Sequence, residues 1–182
     1  MTGIALATIL LAAAPVAAVE KNDTPQQEAM RKLDFLAGKW QGPATYQTGK
    51  GKSQRLQQVE EVQFKLKGTV LLVEGTGRRA PDEAAPGGDE IVFNALGVIS
   101  YDLGTRQYRV KAYTLDGRSI ETELKLLDKS IVWGFPLPMN AGEVRHTMKL
   151  TDKGEWHEIS EFSRDGKTWF KSVEMTLTRV KE

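Results

Sequence analysis

The amino-acid sequence predicts an all-β protein, a single closed antiparallel meander barrel of about ten strands preceded by one short helix. Three observations carry this. Beyond residue 33 the chain is a series of short alternating or β-branched runs divided by Gly, Asp and Lys turns, the spacing expected of barrels and sandwiches. Most connections are tight, as at Lys67-Gly68, Leu103-Gly104-Thr105, Asp116-Gly117, Asp152-Lys153-Gly154 and Asp165-Gly166-Lys167, and links this short join only antiparallel neighbours. A long meander leaves unpaired edges unless the sheet closes on itself.

The first eighteen residues, MTGIALATILLAAAPVAA, carry no charged side chain. The apolar run from Ile4 to Ala14 is shorter than the ~20 residues a membrane-spanning helix needs, and Val16-Ala17-Ala18 puts small residues where a signal peptidase cuts. Residues 1–18 are therefore expected to be a signal peptide, the alternative being a buried N-terminal helix. The mature protein is expected to start near Val19 and to be exported, either periplasmic or secreted. With no Cys in the chain, no disulfide and no lipid anchor at the cleavage site are expected, nor stable membrane insertion once the leader is removed.

Residues 19–32 read as a linker and short helix, with Asp23 or Thr24 as cap and Pro25 in the first turn. Residues 33–182 form the barrel domain, with strands near 39–47, 55–67, 69–78, 90–102, 106–114, 119–127, 130–135, 143–151, 155–163 and 168–180. Two stretches rich in Pro and Gly, 77–90 and 136–142, are expected as loops at a barrel rim. A barrel of this strand number is wider than the roughly eight-stranded kind that its own side chains just fill, so an interior cavity is expected.

Composition sets further bounds. Of 182 residues, 40% are hydrophobic and 27% charged, as in a domain with one packed core. The 25 basic and 24 acidic residues form no basic stripe, which argues against a nucleic-acid partner, because such binding depends on neutralising phosphates.

The segment LDFLAGKWQG at 33–42 resembles the opening of the bacterial family called domain of unknown function 1579 and, more loosely, the nitrobindin and lipocalin branch of β-barrel proteins. ALGVISYD at 95–102, DGRSIE at 116–121, WGFPLP at 133–138, VRHTMKL at 144–150 and SRDGKTWFKSVEMTLTRV at 163–180 resemble the first family's later segments, in order. The resemblance implies a lipocalin-like, calycin-type barrel and leaves the ligand open. It also implies that Trp40 closes the barrel bottom, as the Gly-x-Trp element does in lipocalin-like proteins. Nitrobindins hold haem through a His near the end of the last strand; here that stretch, 174–180, has no His, so no cofactor is expected.

The chain has two histidines and no Cys, so no zinc spacing of motif quality can be assembled. Alternation along 143–150 places Val144, His146, Met148 and Leu150 on one face, so His146 is expected to point inward. It is either a ligand handle or a core His satisfied by a neighbour. His157 is expected outside. Tyr108 and Trp133 fall on apolar faces and carry polar tips that need partners if buried. The adjacent carboxylates Glu60-Glu61, Asp82-Glu83 and Asp89-Glu90 are read as solvated charge, and Arg78 and Arg79 as a solvated strand end or an anion grip at the rim. No Gly-x-Ser-x-Gly elbow or paired nucleophile is present.

The leading expectation is thus a binding or carrier barrel for a small, partly apolar or amphipathic molecule, not an enzyme, with Tyr108, Trp133 and His146 as ligand-binding residues. The alternative is an envelope interaction protein with a filled barrel whose rim loops contact another protein. A third class, an isomerase or hydrolase using His146 as base beside a barrel-lining carboxylate, has no motif behind it.

Overall fold

The computed structural model describes residues 23–49, 51–81 and 90–181. The expected signal peptide, and Asp82, Glu83 and Asp89, lie outside the described residues.

The chain opens with helix α1 (Pro25–Arg31). Thr24 caps it: its hydroxyl accepts from the Gln27 backbone N–H while the Gln27 side chain accepts from the Thr24 N–H, a reciprocal box that satisfies two otherwise orphan donors. After a 3-10 turn, Asp34–Leu36, ten strands follow: β1 (Gly38–Gly49), β2 (Lys52–Lys65), β3 (Val70–Arg79), β4 (Ile91–Asp102), β5 (Gln107–Thr114), β6 (Ser119–Leu127), β7 (Ser130–Pro136), β8 (Glu143–Leu150), β9 (Trp156–Ser163) and β10 (Trp169–Arg179). Each strand pairs antiparallel with the next, and β1 pairs with β10 to close the barrel. The expected meander is what forms, with strand ends within a few residues of those read from the alternation.

Turn chemistry fixes the register at the hairpins. At the β9–β10 turn Asp165 accepts the backbone N–H groups of Thr168 at 2.7 Å and Lys167 at 2.9 Å, and these bonds hold its carboxyl down to about 2. The outer face is laced by ion pairs between neighbouring strands, Lys39 with Glu61, Arg109 with Glu121, and Arg145 with Glu161. Exposed pairs of this kind contribute little stability.

Much of the buried apolar packing lies toward one end of the barrel. Helix α1 lies across the ends of the strands there: the Tyr108 hydroxyl donates to the Ala29 carbonyl at 2.6 Å, Gln26 donates to the Tyr101 carbonyl, and Gln27 to that of Lys67. Beneath it Met30, Leu33 and Leu36 pack with Trp40, Leu71, Ile99, Val110, Leu124, Met148, Trp156 and Leu177 into a single buried cluster. Trp40 has no exposed surface; its indole N–H donates to the Leu36 carbonyl at 2.8 Å, its ring meets Trp156 edge-on at 5.8 Å, and the Arg179 guanidinium lies 4.0 Å over it. The role that the resemblance implied for Trp40 matches this floor.

Candidate functional site

The opposite half of the barrel is built differently. Inward positions on β3, β4 and β5 include Gly75, Gly77, Ala95, Gly97 and Ala112; Gly75 pairs with Ala95 and Gly97 with Ala112, while Gly77 faces Phe93 on β4 and Gln58 on β2. Ala95, Gly97, Ala112, Thr122, Trp133 and His146 all face inward yet keep accessible surface, whereas the inward residues beneath them are buried. The His146 side chain, which alternation turns inward, is itself 21% exposed, so part of this surface belongs to the barrel interior. The result is a cup that opens away from α1.

His146 does point inward, as expected. Its ring stacks on Trp133, its registered neighbour on β7, with centroids 4.7 Å apart and planes 4° from parallel, and Phe135 extends the stack. Nδ1 of His146 is hydrogen-bonded to the Ser160 hydroxyl at 2.8 Å and lies 3.7 Å from a Glu158 oxygen. Ser160 and Glu158 therefore address the same ring nitrogen, whereas a nucleophilic triad sets hydroxyl and carboxylate on opposite nitrogens. Tyr108 stands apart from this pair: it is engaged with α1 at the closed end, where burial, and to a lesser degree Tyr101, raises its phenol above the usual range. His157 sits on the outer side, 3.4 Å from Glu174.

The alternation reading treated Glu60 as solvated charge, and the structure corrects it. Glu61 does lie outside and pairs with Lys39, but Glu60 faces inward and is only 6% exposed. Burial, reinforced by Glu158 and partly opposed by an N–H of Gln58, pushes its carboxyl up to about 8. Gln58 beside it is fully buried, donates to Glu60 at 2.7 Å, and leaves its own Oε1 without a partner. Nearer the mouth the Gln54 Nε2 is likewise buried and unpartnered. Tyr46, facing in from β1 against Phe93 at 5.7 Å, has its hydroxyl pushed upward by burial and by the charges of Glu158 and Glu60.

A signal for this polar layer was present in the sequence. Glu60 and Gln58 share their strand parity with Leu56, Val62 and Phe64, and Gly75 and Gly77 share theirs with Leu71 and Val73. Apolar residues of matching parity on both flanks fix the inward face. The glycines make the room: a Cβ at Gly75 would come within 2.7 Å of the Glu60 carboxylate, and one at Gly77 within 2.6 Å of Gln58 Oε1.

The rim and outer wall add two recesses. One of about 730 Å³ lies outside the barrel between the β4–β5 turn and α1, lined by Gln26, Tyr101, Asp102, Arg109 and Glu121. It is broad and open and contains none of the interior polar groups. The other, about 490 Å³, lies at the mouth beside Leu137, Asn140 and Phe162. Arg79 pairs with Glu90 at 3.2 Å. No group of three or more His, Cys, Asp and Glu able to hold a metal occurs among the described residues.

No family model matches the chain, and no curated protein matches it. Among solved structures it is similar to the crystal structure of Rv2717c from M. tuberculosis, with a TM-score of 0.61 at 10% identity over 88% of this chain and 100% of that one. At that identity the likeness speaks for the barrel fold alone.

Proposed function

We propose that the protein is an exported, non-enzymatic binding or carrier barrel for a small amphipathic molecule that enters through the mouth and rests against Trp133 and His146. The observation that carries this is the division of the interior. Buried apolar side chains pack the closed end, while above it the inward-facing Trp133 and His146 keep accessible surface. Ligand sites typically combine an apolar wall with a few placed polar groups, and this interior has both. The uncharged leader-like segment at 1–18 supports export, and the ordered segments noted above support membership of the domain of unknown function 1579 family.

Native mass spectrometry of the protein purified from its own host, before and after denaturation, tests the reading. A reproducible small-molecule adduct that is lost on unfolding is the expected result. A protein that is empty and stays empty against a panel of lipids and haem would contradict it.

One feature favours the interaction-protein reading. Met139 is 96% exposed at the tip of the β7–β8 loop, and Leu115 and Phe170 are exposed on neighbouring rim positions. Retention of a protein partner by the wild type, lost on Met139→Ser, is the outcome that this second reading requires.

A further inference from the structure

The polar floor of the cup specifies the ligand's chemistry as well as its place. Glu60 and Glu158 face inward from β2 and β9, and neither has a Lys or Arg partner among the described residues. The donors that reach them are Gln58 Nε2, bonded to Glu60, and the Trp156 indole N–H, bonded to Glu158 at 3.0 Å. With Glu60 ionised, four carboxylate oxygens and Gln58 Oε1 meet these two N–H groups, with the His146 ring nitrogen 3.7 Å from Glu158. Three of the acceptors, both Glu60 oxygens and Gln58 Oε1, converge over the strip of β3 that Gly75 and Gly77 leave without side chains.

A buried acceptor without a donor is costly, and so is a buried carboxylate without a cation. We infer that this floor receives the positively charged amine of an amphipathic ligand, whose ammonium donates to Glu60 and Gln58 Oε1 while its apolar body lies against Trp133 and the small-residue wall. The inference rests on the binding-barrel reading above. Glu158 adds attraction for the cation, and Tyr46, which lies within the field of both carboxylates, offers it an aromatic face. A carboxylate ligand would meet two acids and, of basic side chains, His146 beside Glu158. A neutral hydroxyl would gain a hydrogen bond but no charge attraction.

The groups facing Glu60 set the pH behaviour. They are Gln58 on its own strand, Trp40 and Tyr46 from β1, the backbone of Gly75 from β3, and Glu158 from β9 with His146 of β8 behind it. An alkylamine, like a Lys side chain with its pKa near about 10.4, stays protonated between pH 7 and pH 9. Glu60 must release its proton to pair with it, and Glu60 is held up to about 8.

Isothermal titration of the purified protein with octylamine, octanol and octanoate tests this. Octylamine is expected to bind at least tenfold more tightly than octanol, with octanoate weakest. Its affinity is expected to rise about tenfold from pH 7 to pH 9, following the ionised fraction of Glu60. Glu60→Gln, with folding checked by thermal melting, should lower octylamine affinity tenfold or more and abolish the pH dependence. Equal or tighter binding of octanol or octanoate, or octylamine binding indifferent to Glu60→Gln, overturns the inference and leaves the binding barrel standing. Failure of all three compounds to bind overturns both.

Discussion

The two halves of this barrel are made by the same strands and differ in what those strands put inside. At the end crossed by α1, inward positions carry Trp40, Leu71, Ile99, Met148 and Leu177, all packed and essentially inaccessible. A few residues along the same strands, inward positions become Gly42, Ala44, Gly75, Gly77, Gly97 and Ala112, faced by Gln58, Glu60, Glu158 and the Trp133–His146 stack. The first arrangement maximises buried apolar contact and fixes the fold. The second accepts the burial of polar groups, a trade that stability alone does not favour. On the proposed reading, the barrel divides stability and recognition between its ends.

The sharpest way to break that division is at the closed end. Trp40→Ala removes a fully buried indole and its hydrogen bond to Leu36, and is expected to cost about 3–5 kcal/mol, read by chemical denaturation. If the protein tolerates this change with only a small loss, the closed end is not where the fold is secured.

In the open half the sign reverses. Glu60 titrates near its ordinary value of 4.5 in the unfolded chain and is raised to about 8 when folded, so between those values the native state binds the extra proton. Its contribution to stability is therefore full below about pH 4.5 and is lost as pH rises through about 8. Glu60→Gln should remove that slope and stabilise the protein most at pH 9, by on the order of 5 kcal/mol. Thermal melts of both proteins from pH 5 to pH 9 check it; parallel curves would mean that Glu60 is not buried as a neutral acid.

How far the sequence went follows from which physical rule governs each region. The ten strands, their antiparallel order and the inward His146 were legible because period-2 alternation and short turns depend on local chemistry. The closed-end role of Tyr108 was not, because it depends on α1 docking across the barrel, a contact 79 residues away in sequence. Glu60 was misread because composition favours a solvated Glu, while its inward aim is set by the parity of Leu56 and Val62. The space that accommodates it comes from two glycines on the neighbouring strand, which alternation within β2 alone does not reveal.

Two smaller substitutions sharpen the same contrast. Tyr108→Phe loses the bond to Ala29 and should cost about 1 kcal/mol, with ligand affinity unchanged. His146→Ala should do the opposite, weakening ligand binding tenfold or more while the melting temperature moves by only a few degrees, since one partly exposed stacked pair contributes about 0.5–1.5 kcal/mol. A His146 that is purely structural would instead lower stability and leave affinity intact.

The chain's four tryptophans stand at separate stations of this architecture: Trp40 in the closed end, Trp156 at the polar floor, Trp133 in the cup, and Trp169 on the outer face under Arg145. Their indole N–H resonances in an ¹⁵N-labelled sample therefore report where a ligand sits. On titration with octylamine, the Trp133 signal should shift most and Trp156 next, while Trp40 and Trp169 stay in place. Shifts at Trp40 or Trp169 with Trp133 unmoved would contradict the division of the barrel into a structural end and a binding cup.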